Sequence, residues 1–217
     1  MRPTANLGHG GVSVPWVDLM ERNPDGNFPG LDEAPSRILR AAIECMRQYG
    51  TLKMSMADVA KASGYSRATV YKYFGNRQEL VDAVYLQGTR VFFADLKDAA
   101  SRKQHLPDQM ATVARVLMEY LYDDANAPWA GMLDPLDDAL ITRQHGHDLI
   151  AGLAAFATSL VEAAVVRGEI ESSLRPAEVG EWLGRILFSA HFTPPEERSI
   201  VRTEALLRHL CAALAPR

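Results

Sequence analysis

Ser55–Phe74 reads SMADVAKASGYSRATVYKYF. Ser55-Met56-Ala57-Asp58 has the pattern of a capping box, with a hydroxyl at the N-cap and a carboxylate three residues on. It predicts a short helix that buries Val59 and Ala60 and stops at Ser63-Gly64. Ser66 is a second N-cap and predicts a helix through Phe74, ended by Gly75. Asn76-Arg77-Gln78-Glu79 is a third cap, opening a longer helix that carries Leu80, Val84 and Val91 inward. Upstream, Pro35 suits a first helical turn. Ile38, Ala41, Ala42, Cys45, Met46 and Tyr49 then recur at spacings of three and four, and Gly50 is the stop. Cys45 lies on that stripe and reads as core. Three short helices, two of them joined by a tight glycine turn, predict a helix-turn-helix.

Its second helix has the side chains for reading DNA. Val70 and Phe74, four apart, form a rear face. Arg67, Ala68, Thr69, Tyr71, Lys72 and Tyr73 remain for the front and flanks. Arg67 can fork onto guanine, and Ala68 can meet a thymine methyl. Thr69, Tyr71 and Tyr73 offer hydroxyls for phosphates, while Lys72 and Arg77 add charge. Composition alone leaves an ordinary surface helix with a tyrosine stripe equally open.

Charge distribution favours nucleic acid. The 217-residue chain has a net charge of −4. Residues 36–85 hold eight basic and four acidic residues, so this stretch is at +4 and the remainder at −8. A basic module on an acidic body fits a protein that meets phosphates with one end only.

Ser55–Phe74 closely resembles the DNA-binding motif of the TetR family of transcriptional regulators. Ser55 before an apolar residue, Val59-Ala60, the Gly64 turn, and Thr69, Val70, Tyr71 and Phe74 all fill that family's positions. Asn76–Leu80 continues the match, with Arg77 where lysine is usual. The resemblance spans residue 36 to about residue 85. It implies DNA-binding residues Ser55, Ser66, Arg67, Ala68, Thr69, Tyr71, Lys72, Tyr73 and Arg77. It also implies a ligand-responsive homodimeric repressor on a palindromic double-stranded operator, cytoplasmic and nucleoid-associated in the bacterial manner.

The remaining sequence also reads as helices, giving an all-α chain of about nine. Helices are expected from Pro107-Asp108 to Tyr122, a short one at Pro128-Trp129, and others over Asp134–Gln144, Asp148–Arg167, Pro176–His191 and Pro195–Leu214. Leu149–Val161 carries no charge but falls short of the roughly 20 residues a membrane span needs, so it reads as a buried helix. The expected division is a flexible arm over 1–32, a helix-turn-helix domain over 33–85 and an effector-binding and dimerisation domain over 86–217. Residues 1–35 contain five prolines and five glycines, and their excess of acids speaks against an arm reaching into a DNA groove.

Large side chains suggest a pocket for a small apolar or amphipathic effector: Phe93, Met118, Tyr122, Trp129, Met132, Phe156 and Phe188, with Phe92 beside them. Each also fits plain core. Val179, Trp182, Leu183, Ile186 and Leu187 form one apolar stripe. Leu207, Leu210, Cys211 and Leu214 form another, and the two are read as a dimer interface. Asp134, Asp137, Asp138, His145 and His147 have poor spacing for a metal and read as a polar surface corner. Two cysteines exclude a disulfide framework. No phosphate-cradling glycine loop or nucleophile elbow occurs, so neither a cofactor nor an enzyme is expected. A TetR-like activator or DNA organiser without a ligand, an apolar-ligand carrier on this fold, and an enzyme at the Asp/His corner are the alternatives.

Overall fold

The computed structural model describes residues 28, 30–50, 53–122, 139–171, 173–189 and 200–216, with backbone alone at 121–122, 139–146 and 200. Among these residues every element is a helix: α1 (Glu33–Tyr49), α2 (Met56–Ser63), α3 (Arg67–Tyr73), α4 (Arg77–Ser101), α5 (Leu106–Tyr122), α6 (Ala139–Val166), α7 (Pro176–Ser189) and α8 (Ile200–Ala212). The short helix expected at Pro128-Trp129 lies outside the described residues.

One boundary differs from the sequence reading. Asp134–Gln144 and Asp148–Arg167 were expected as two helices parted at Gly146. The chain instead runs as one helix from Ala139 through Gly146 to Val166. An interior glycine costs a helix only about 1 kcal/mol, which flanking turns can outweigh.

Helices α1, α2 and α3 pack together, and α1 also meets the start of α4. Ile38, Leu39, Ala42 and Met46 of α1 are buried with Met54, Val59, Val70, Leu80 and Val84. The expected arm ends earlier than residue 32. Phe28 is buried, its N–H donates to the Ser36 hydroxyl at 2.9 Å, and the Arg40 guanidinium lies 5.7 Å from its ring centroid.

Helix α4 continues into the second unit, where it packs on α5, and α5 in turn on α6 and α8. Helix α8 turns Leu207 and Cys211 inward. At the rim of this contact Arg208 reaches Asp108 at 3.0 Å and Arg115 reaches Glu204.

His147–Val166 is long and apolar enough, by length and composition, to cross a membrane. Here it forms most of α6. Leu149, Leu153, Ala157, Val161 and Ala164 are buried, whereas Ala151, Ala155, Ser159, Ala163 and Val166 are exposed. The expected buried helix is therefore covered on one face only. Helices α6 and α7 cross closely because α7 offers Gly180 and Gly184. A Cβ on Gly184 would lie 2.6 Å from the Ala154 backbone nitrogen, and one on Gly180 would lie 2.6 Å from the Thr158 Cα.

The start of α5 is capped from a distance. The Leu106 N–H donates to Glu169 Oε2 at 2.8 Å, Arg167 donates to Glu169 Oε1, and His105 Nδ1 is 3.4 Å from that oxygen. Partial burial pulls the Glu169 pKa upward. The Arg167 hydrogen bond, the Leu106 amide and the charges of Arg167 and His105 outweigh it, so the carboxyl ionises below its ordinary 4.5.

Two measurements test these contacts. Gly184→Ala overpacks a backbone contact and is expected to destabilise the fold by about 1–3 kcal/mol in urea unfolding. Glu169 has a depressed folded pKa, so its contribution is present above pH 4.5 and disappears as pH falls through the lower folded value. Glu169→Gln should therefore be less stable than the parent at neutral pH, with the difference shrinking below pH 4.5 in thermal melts.

Candidate nucleic-acid interface

Helix α3 has only seven residues, so local caps and a tertiary seat must hold it. The Ser66 hydroxyl accepts from the Thr69 N–H at 3.1 Å and shares a 2.9 Å hydrogen bond with the Thr69 hydroxyl. The capping box at α2 is complete. Ser55 Oγ accepts from the Asp58 N–H at 3.2 Å, and Asp58 Oδ2 accepts from the Ser55 N–H at 3.3 Å. At α4, Asn76 Oδ1 accepts from the Glu79 N–H at 2.9 Å, and Glu79 reaches back to the Gly75 N–H at 2.9 Å. The hydroxyls of Ser55 and Ser66 are thus engaged in holding helix starts.

The turn between α2 and α3 needs its glycine. Gly64 has φ +74°, in the left-handed region, and a Cβ there would lie 3.2 Å from Arg37 Nη2. The same Arg37 guanidinium lies 5.5 Å from the Tyr65 ring centroid, bracing the turn from α1.

Val70 and Phe74 are buried, as the rear-face reading required. Arg67, Ala68, Tyr71, Lys72 and Tyr73 are exposed together and Thr69 is half-buried. The Lys72 ammonium sits 5.9 Å from the Tyr73 ring centroid. Beside this face a cavity of about 550 Å³ opens, lined by Lys53, Ser55, Ala57, Arg67, Tyr71 and Arg77 among others. Three cations, two hydroxyls and the helix starts at Met56 and Arg77 converge on it. Such a concavity suits phosphate oxygens, while the α3 front suits base edges.

Residues 38–84 match the family model described as bacterial regulatory proteins, tetR family. These residues form a TetR-family DNA-binding domain. The chain is 24% identical over 203 residues to the HTH-type transcriptional regulator LuxR of Vibrio harveyi, covering 91% of this chain and 94% of LuxR. It is 21% identical over 138 residues to the fatty acid metabolism regulator protein of Bacillus subtilis (strain 168), covering 64% and 71%. The crystal structure of FadR from Bacillus subtilis in complex with stearoyl-CoA has the same fold, with a TM-score of 0.61 at 16% identity over 83% of this chain and 98% of FadR.

The other predicted sites of this regulator meet different fates. Phe93 and Phe156 are half-buried with ring centroids 6.3 Å apart, and Phe92 contacts Phe93 at 5.3 Å and Tyr120 at 4.9 Å. Met118 is fully buried and Phe188 half-buried. The Tyr122 side chain, Trp129 and Met132 lie outside the described residues, as do Asp134, Asp137, Asp138 and the His145 side chain. His147 is exposed.

The interface reading needs correction at four residues. Leu183, Leu187, Leu207 and Cys211 are buried within the subunit itself, because α7 lays its stripe on α6 and α8 lays its own on α5. Burial also pushes the Cys211 thiol up to about 12, so it stays protonated. Val179, Ile186 and Leu214 are partly buried against the same core, and Leu210 is half-buried. Trp182 alone of the nine is exposed, at 68%.

Sequence reasoning missed Lys53 and Arg37. Lys53 stands two residues before a capping box, a position that hinted at its place beside the helix start. Nothing in the sequence pairs Arg37 with Tyr65.

Arg67→Ala is expected to cost about 1–3 kcal/mol on a specific duplex and relax preference at one base position per half-site. Competition between the selected duplex and random DNA reads this out, and equal losses on both would remove the base-reading role.

Proposed function

We propose that this chain is a homodimeric, ligand-responsive repressor. Each subunit places α3 in one of two successive major grooves of a palindromic operator, about 34 Å apart or somewhat more. The observation that carries the reading is the α3 front, where Arg67, Ala68, Tyr71, Lys72 and Tyr73 stand exposed together beside a basic cavity. Arg67 and Ala68 read bases in this scheme. Tyr71, Tyr73 and Lys72 secure the DNA backbone, Arg77 supports this face from the start of α4, and Ser55, Ser66 and Thr69 hold the helix starts.

The proposed dimer joins the uncovered face of α6, Ala151, Ala155 and Val166, with Trp182 of α7. Their exposure in a single subunit supports this, since large apolar surfaces are seldom left to water. The proposed effector is apolar or amphipathic and acts from the cytoplasm. The aromatic row Phe93, Phe156, Phe92 and Tyr120 supports an apolar chain, as does stearoyl-CoA in the Bacillus subtilis FadR structure. Effector binding would favour one spacing of the two recognition helices over the other and so release DNA.

Fluorescence anisotropy on DNA from immediately upstream of the protein's reading frame tests this, with and without a series of fatty acyl-CoAs. Selective binding that an acyl-CoA weakens is the expected result, and binding indifferent to every effector would leave a ligand-free DNA binder. Trp182→Glu is expected to weaken subunit association by at least about 2 kcal/mol. Sedimentation velocity should then show monomers, and selective DNA binding should fall with them.

A further inference from the structure

The family resemblance puts Arg77 at a phosphate. The structure gives its guanidinium a different partner. Arg77 Nε donates to the Met54 carbonyl at 3.0 Å, across 23 residues of chain. Met54 is itself buried, with its side chain in the core beneath α1 and α2. The N–H groups of Lys53 and Met54 both donate to the Gly50 carbonyl at 3.2 Å. Lys53 therefore stands on a short loop held by Gly50 on one side and by Met54 and Arg77 on the other. Its side chain is exposed and lines the same cavity as Arg67 and Tyr71.

A lysine is a point charge on a long, mobile stem, and ordering such a side chain on binding is costly. A fixed backbone reduces that cost by confining where the ammonium can reach. Arg77 supplies the fixing by tying the first residue of α4 to the residue that follows Lys53.

We propose that Lys53 contacts a backbone phosphate beside the recognition helix, and that Arg77 acts as a positioning residue that holds the Lys53 loop through the Met54 carbonyl. This rests on the DNA-binding reading of the same face.

The test uses the full chain and a duplex enriched from a random-sequence pool by the parent protein. Binding constants are measured against salt concentration for the parent, Lys53→Met, Arg77→Met and the double variant. Each lost phosphate contact lowers the slope of log K against log salt by about 0.9. Lys53→Met should lose about that much per bound subunit. Arg77→Met should lose the same amount although it leaves Lys53 in place, and the double variant should lose no more. Additive losses would make Arg77 a phosphate contact in its own right and overturn the proposal. An unchanged slope in Lys53→Met, or a weaker Arg77→Met with an unchanged slope, would overturn it too. Circular dichroism checks folding, and Arg77→Gln replaces Arg77→Met if the latter unfolds. A parent chain that enriches no duplex at all would overturn the DNA-binding reading itself, and this inference with it.

Discussion

A helix of two turns cannot hold its own shape in water, so everything this protein does with DNA depends on the seat beneath α3. Val70 and Phe74 are the residues that enter that seat. Around them the backbone is fastened by serine, asparagine and carboxylate caps at the starts of α2, α3 and α4. The caps remove alternatives for the chain ends, and the buried valine sets which way the helix faces. Only then do Arg67 and Tyr71 have a defined direction. Chemistry at the surface is here a product of packing underneath.

Helix α4 joins that seat to the rest of the chain. At 25 residues it spans about 37 Å. It packs on both α1 and α5, so one continuous helix belongs to both units. Phe92 and Phe93 lie on this helix, with Phe92 against Tyr120 of α5.

The DNA-binding end was legible because its signals are local. Ser55 with Asp58, and Asn76 with Glu79, declare helix starts within four residues, and Gly64 declares the turn. The body was legible only as helices. Gly146 looked like a stop by local rules, yet the longer helix absorbed it. The stripe at Leu207 and Cys211 was found, but a stripe states only that a face is buried and not against what. It met α5 of its own chain. Arg77 meets the carbonyl of Met54, the neighbour of Lys53, across 23 residues, and separation in sequence hides such pairs.

The docked Phe28 bears on how this chain can be cut or varied near its start. A shortened chain beginning at α1 would keep every described helix and still lose an aromatic plug from its core. It would also strip the Ser36 hydroxyl of the amide it accepts from, in a place water cannot reach. Removal of a buried phenylalanine ordinarily costs about 3–5 kcal/mol, a large share of a domain's whole stability. The packed core therefore begins ahead of α1, and boundaries drawn from the helical pattern of α1 alone would miss Phe28.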